Sequence, residues 1–383
     1  MNPAAIPQRE DVQEQAQGFL SGPVSSLVDL LRIGGCLAVI VCHSRQVGFH
    51  AGTPYVSDLG SHYAVVVFFV VSGLAIATSA LRPGATLADY ALSRAARLLP
   101  VALLAMALGV GAFLLRGAQA SFPGHDQLTW QSLVHPLLFL TETPQGQVPV
   151  WNAPWWSLSY EVWYYALFGA AVFLRGPQRV LWLVVLAALA GPLILLLMPV
   201  WLMGVALAGW PGWVRLQRRG GVLLLIAAGL VLHAARIVDM PALAWLEAHS
   251  RLPLVNSQNV VGNMLVGLAV AMGLAGARPW LALLARPIAV VAPALRWGAG
   301  MTFTAYLMHH PLLCLARSWG LRAPPGPFGA VIGLVGLLAV CALLADLGER
   351  RSPLLRRRVQ AWLAARHAPG TLHRAPTRAA TSA

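Results

Sequence analysis

Apolar stretches of about 20 residues, the length needed to cross a bilayer's hydrocarbon core, recur along nearly the whole chain. The hydrophobic pattern places them at roughly 27–48, 62–80, 98–115, 155–174, 180–197, 199–212, 220–237, 259–277, 297–316 and 327–347. The sixth is the shortest. Such a pattern leaves an all-α integral membrane protein of about ten transmembrane helices as the expected fold. Composition excludes the other classes. Only 10% of the 383 residues are charged, against about 25% in soluble domains, so there is too little polar surface to cover soluble domains. The 14 Trp, 11 Phe and long aliphatic runs are too apolar for disorder. The expected organisation is a polar cytoplasmic tail over 1–26, a membrane domain over 27–347 and a basic cytoplasmic tail over 348–383. The first 24 residues lack the basic start and short apolar core of a cleaved signal peptide.

All 27 basic charges are arginine, which rules out Schiff-base and lysine-nucleophile chemistry. A net charge of +14 raises the question of nucleic acid, but the positions of the arginines answer it. With ten spans and both termini cytoplasmic, 21 arginines fall on the inner side and 6 on the outer. That bias is the one expected of cytoplasmic loops, and a miscounted span would scramble it. The C-terminal tail, with Arg350-Arg351 and Arg356-Arg357-Arg358, is expected to lie on anionic lipid headgroups. Its lone Trp362 and lack of a recognised module speak against nucleic acid as a partner. Cys36, Cys42, Cys314 and Cys341 all sit in apolar stretches without a CxxC pair, so they read as packing residues rather than as a disulfide framework or zinc site.

Ionisable groups inside spans are costly and therefore candidates for function. The first span holds Asp29, Arg32 and His43. Arg32 and His43 are separated by about 16 Å of helical rise and share a face. A cation at the mouth and a base further in suit an elongated anionic substrate, whereas snorkelling and packing are the plainer roles for the same residues. The fourth span carries Trp156, Ser157 and Glu161; at mid-depth Glu161 must be paired or protonated, as orienter of an imidazole, as a base, or as an interhelical clasp. Tyr306, His309 and His310 lie on the ninth span, where the two histidines must point to different partners, and no set of ligands at metal spacing accompanies them. Arg94 and Arg97 share one helical face at the inner boundary and suit phosphate, or serve as topology anchors. Trp151, Trp155, Trp156 and Trp163 form an interfacial belt or a sugar-stacking platform. A short interfacial helix is expected near 130–140, interrupted at Pro136.

Five blocks in order resemble the acyltransferase-3 family of membrane-bound O-acyltransferases. They are Asp29-Leu-Leu-Arg32 with the step to His43, Phe68-Phe-Val-Val-Ser72-Gly73, Arg94-x-x-Arg97-x-x-Pro100, Trp156-Ser157-Leu-Ser-x-Glu161, and Tyr306-Leu-x-His309-x-Pro311. The resemblance runs from about residue 27 to 347. It implies a multi-pass bacterial inner-membrane enzyme that moves an acyl group, usually acetyl, from acyl-CoA to a hydroxyl of a carbohydrate such as an exopolysaccharide or lipopolysaccharide precursor. It implies no tightly bound cofactor; acyl-CoA is a co-substrate. It makes His43 the essential histidine, matches His309 rather than His310 to the last motif, and puts Arg32, Arg94 and Arg97 on the donor side. The mechanism expected is direct transfer, with His43 as base, Glu161 as its orienter, and Ser72, Tyr306 or His309 at the oxyanion. The rival readings are a transporter or flippase for glycan or lipid precursors, which lacks support from inverted repeats or paired broken helices, and a structural subunit of an export assembly.

Overall fold

Helix follows helix, with no strand among the described residues (18–20, 22–50, 58–117, 127–250 and 254–367), in this computed structural model. α1 (Pro23–Gln46) opens on Pro23, whose missing N–H costs nothing in a first turn. α2 (Asp58–Ala80) precedes α3 (Leu87–Leu114), which starts where the Thr86 side chain accepts the Asp89 N–H. The short α4 (Gln131–Leu137) contains Pro136, and a 3-10 turn at Ala153–Trp155 leads into α5 (Trp156–Phe173). Then come α6 (Gly176–Gly209), the single turn α7 (Gly212–Arg215), α8 (Arg218–His249) and α9 (Val260–Leu281). α10 (Ala285–Ala299), α11 (Thr302–Ser318), α12 (Gly326–Ala345) and α13 (Ser352–His367) complete the order.

Among the described residues, seven helical stretches are long and apolar enough to cross a membrane: Pro23–Gln46, Gly60–Ala80, Leu87–Leu114, Gly176–Gly209, Arg218–His249, Val260–Ala299 and Gly326–Trp362. Their outward faces are apolar; Leu223, Leu230, Phe328 and Leu343 are all more than 60% exposed, as suits lipid rather than water. α2 is the most buried of the seven and packs against α1, α5, α6 and α9. Its contact with α6 is backbone-close: a Cβ at Gly73 would overlap the Trp201 carbonyl, and one at Gly204 the Val70 carbonyl. α11 lies against α1, α3 and α12. α1, α2, α3, α5 and α11 therefore surround the middle of the molecule.

Several boundaries differ from the sequence expectation. The fifth and sixth segments form one continuous run broken at Gly191 (φ 80°), not near Pro199. Gly191 precedes Pro192, and a pre-proline residue avoids the helical region while glycine adopts positive φ without strain. The inner loop expected over 278–296 contains α10, a separate amphipathic helix packed on α1. The two tails are not simple appendages. Residues 1–17 lie outside the described residues, but Phe19 is fully buried with its ring 5.6 Å from Trp213. At the other end α13 packs on α3, Gln360 donates to Asp89, and Glu349 is buried.

Candidate active site

The site begins with the way α11 is joined to the segment before α5. Pro311 has no N–H to give the Leu307 carbonyl four residues earlier, and Asn152 Nδ2 donates to that oxygen instead, at 2.9 Å. From neighbouring positions on the two segments, His310 Nδ1 bonds the Trp151 carbonyl at 2.8 Å and the Tyr306 hydroxyl donates to the Pro154 carbonyl at 3.2 Å. Trp151 holds a left-handed backbone (φ 55°), a conformation costing about 1–3 kcal/mol for a non-glycine residue. Its fully buried ring, edge-on to Phe113, and the His310 bond keep it there.

Residues far apart in sequence meet on this scaffold. His43 Nδ1 lies 2.8 Å from His309 Nε2, and the two rings are nearly parallel. The tautomers follow from a single carbonyl. Ala305 O can only accept, so His309 Nδ1, 3.0 Å away, carries the proton. A neutral His309 then has a bare Nε2, which accepts the N–H of His43 Nδ1. His43 Nε2 is left with a free lone pair. His310 touches His43 only edge-on, with ring centroids 5.4 Å apart, so both histidines are buried but only His309 bonds His43. Glu161, expected as a possible orienter of that imidazole, turns elsewhere. It accepts from the Ser72 hydroxyl at 2.6 Å and from the Tyr165 hydroxyl. Because the Ser72 proton is committed to Glu161, Ser72 is poorly placed to donate to an oxyanion.

Two cavities flank this centre. One, of about 150 Å³, is lined by Arg32, Arg94, Arg97, Ser72, Ser157, Glu161, Tyr165 and Tyr306. Three guanidiniums face one carboxylate there, and Arg94 Nε is buried without a hydrogen-bond partner. The other is a larger vestibule of about 680 Å³, lined by His43, Trp156, Glu142, Asn256, Gln127, Gln147 and Thr141. Between them lies the Tyr306 hydroxyl, 2.7 Å from Ser157 Oγ, with the Phe68 ring edge-on to Tyr306. His62 stacks on Trp156 from behind. Arg32, Arg94, Arg97, Ser72, Ser157, Glu161 and Tyr306 thus share one cavity, His43 and Trp156 the other, and His309 supports His43 from within the protein.

The sequence reading missed Glu142, which accepts from the Tyr160 hydroxyl at 3.0 Å and from Asn256 Nδ2 at 3.1 Å. Burial raises its carboxyl above the ordinary carboxylate range, partly offset by those hydrogen bonds. An isolated acid in a long polar loop carries no sequence signal of its own. Also missed was Glu349, which reaches Arg32 and α11 from beyond the last long apolar helix. Among the described residues no three His, Cys, Asp or Glu side chains gather as a metal-ligand set.

No curated protein and no solved structure matches the chain. The sequence profile of an acyltransferase domain matches residues 26–346, which include His43, His309 and all three arginines of the smaller cavity. Given a match over most of its length, and the apolar helices that enclose the site, the chain belongs to the acyltransferase-3 family of membrane acyltransferases.

Proposed function

We propose that the protein transfers an acyl group, most simply acetyl, from acyl-CoA to a hydroxyl of a carbohydrate, at the inner membrane of a bacterium. The observation that carries this reading is the pairing of an arginine-lined cavity with a polar vestibule bearing a histidine whose Nε2 is free to act as base. Guanidinium forks suit the phosphates of the donor. The apolar side chains between the arginines and Tyr306, among them Val65, Phe68 and Phe69, suit a slender pantetheine arm. The thioester would thread inward while the nucleotide stays at the arginines. The vestibule, with amides, hydroxyls, a carboxylate and an indole, has the size and chemistry of a site for a small polyhydroxylated ligand.

Transfer is direct on this reading. His43 Nε2 accepts the proton of the acceptor hydroxyl as its oxygen bonds to the thioester carbonyl carbon. The carbonyl π electrons move onto oxygen beside the Tyr306 and Ser157 hydroxyls, which exchange their 3.2 Å bonds to the neutral Pro154 carbonyl for it more readily than Ser72 leaves a carboxylate at 2.6 Å. On collapse the C–S bond breaks and sulfur leaves with the proton from His43. His309 stabilises the transient imidazolium through the bond at His43 Nδ1.

The same reading uses ten crossings with both termini cytoplasmic. α6 counts as two, because Leu193, just past its break, bonds Ser257 in the segment between α8 and α9. α5 and α11 add two more crossings. With those, Arg32, Arg94, Arg97 and Glu349 lie toward the cytoplasm, where acyl-CoA is made.

The test uses purified protein in lipid nanodiscs with labelled acetyl-CoA and glycan from the producing cells. Alkali-labile label should appear on the glycan. Arg97→Ala should raise the acetyl-CoA KM about tenfold or more, the value of one charged hydrogen bond, with kcat little changed. Full transfer by His43→Ala protein would sink the base assignment.

A further inference from the structure

α11 carries Tyr306 and His309, yet its first turn is uncapped locally: the N-cap position is Met301, which has no side-chain acceptor suited to the task. The cap comes from 45 residues further on. Glu349 Oε2 accepts the Thr304 N–H at 2.9 Å and the Thr304 hydroxyl at 3.1 Å. Thr304 is the third residue of α11, the position whose N–H an N-cap side chain normally takes. The other carboxylate oxygen stands 3.9 Å from Arg32 Nη2. That same nitrogen donates to Thr302 Oγ1 at 3.1 Å, while Arg32 Nη1 lies 4.0 Å from Asp29. The Glu349 side chain is only 7% exposed, a burial that an unpaired carboxylate would strongly disfavour. Arg32 and Arg97 both lie within its electrostatic reach.

We propose that Glu349 is a positioning residue: one oxygen holds the start of α11, and the other draws Arg32 into place at the arginine cavity. At 3.9 Å the contact is beyond hydrogen-bond distance. It attracts the guanidinium without consuming an N–H, so those donors stay available to a phosphate. Without that charge, Arg32 is held by Thr302 and by Asp29, one turn back on its own helix. The segment after α12 thereby becomes part of the site that precedes it in sequence. The effect on donor binding rests on the reading of the arginines as phosphate ligands; the effect on α11 does not.

Four full-length proteins in nanodiscs test this: Glu349→Gln, Glu349→Ala, Arg32→Ala and the Arg32→Ala/Glu349→Gln double variant. Glu349→Gln keeps an acceptor oxygen for the Thr304 N–H and loses only the charge. It should melt like the wild type and raise the acetyl-CoA KM about fivefold, the size of roughly 1 kcal/mol, with kcat within about twofold. The double variant should be no worse than Arg32→Ala alone. A KM unchanged or lowered by Glu349→Gln, where Arg32→Ala raises it, overturns the positioning of Arg32, as do effects that simply multiply. If Arg32→Ala itself leaves the KM unchanged, the phosphate reading fails, and the cap is judged by a donor-independent readout. The buried Cys36 thiol lies against the Thr302 carbonyl, so in a variant retaining only that cysteine its maleimide labelling reports on the α11 start. Faster labelling in Glu349→Ala, returned to the wild-type rate in Glu349→Gln, upholds the cap; unchanged labelling in Glu349→Ala overturns it.

Discussion

His309→Ala is the most informative single change, because on the proposed mechanism it removes a group that supports the base without meeting substrate. His309 is fully buried, and its Nε2 accepts the His43 Nδ1–H at 2.8 Å. Truncation leaves that N–H without its protein partner. A buried donor without a partner costs about 1–3 kcal/mol, and His43 can escape by shifting its proton to Nε2, which abolishes the base. Either outcome lowers kcat by about 5- to 150-fold at 1.4 kcal/mol per decade. Losing the base itself, in His43→Ala, should cost about 100- to 10,000-fold. The two changes act on one unit, so the double variant should match His43→Ala rather than the product of both. Single-turnover transfer of labelled acetyl, with donor saturating, isolates the chemical step. A His309→Ala protein with undiminished single-turnover rate would refute the relay from Ala305 through His309 to His43. Multiplicative losses in the double variant would show that the histidines act separately.

Two further outcomes follow from packing and burial. Gly204→Ala places a methyl group against the Val70 carbonyl where α2 and α6 meet; overpacking of this kind costs about 1–3 kcal/mol, so the melting temperature should fall, and an unchanged melt would mean the helices do not approach so closely. The raised carboxyl of Glu142 binds more protons folded than unfolded, so its contribution is present below the ordinary glutamate value of about 4.3 and is lost as pH rises through the folded value; Glu142→Gln should flatten the fall in melting temperature over that window, and an unaltered slope would remove Glu142 as its source.

What was legible in the sequence, and what was not, follows from how far each signal extends along the chain. Helices announce themselves locally, and the apolar runs that became α1, α2, α3, α8, α9 and α12 needed no partner to be seen. α5 and α11 match the spans expected at 155–174 and 297–316 but do not rank among the seven apolar stretches: α11 is short, at 17 residues, and Ser157, Ser159, Glu161, Thr302, Thr304, His309 and His310 make both more polar. The site residues stand out for the same reason that their helices look less like spans. Pairing is another matter. His43 and His309 are 266 residues apart, and nothing in either segment says that the imidazole, rather than Glu161, supplies the partner. Glu142 and Glu349 were invisible for a related reason: each sits in a polar stretch where an acid is unremarkable, and only the fold brings it to Tyr160 and Asn256 or to Arg32 and Thr304. The break in α6 was misplaced because Pro192 and Pro199 both punctuate the run, and only Gly191 supplies a residue free to leave the helical region before a proline.

On the proposed mechanism, Pro311 and Tyr306 of α11 have linked tasks. If donor and acceptor arrive from opposite sides, the protein must let them meet at one atom while keeping the membrane sealed at every other moment. On the proposed mechanism that seal would consist of polar groups that satisfy one another: the Tyr306 hydroxyl lies between Ser157 Oγ and the Pro154 carbonyl. Such a seal would require the Pro154 segment to be held rigidly against α11. Pro311 provides that rigidity indirectly. By withholding its own N–H it exposes the Leu307 carbonyl, Asn152 takes it, and the turn bearing Pro154 is held one helical turn from the histidines. On the proposed mechanism, the bonds at that seal are also the ones a reacting carbonyl would borrow: a thioester oxygen between Ser157 and Tyr306 would replace their contacts with each other and with the Pro154 carbonyl, so arrival of the donor would open the way to His43 and supply the oxyanion with its donors in the same movement.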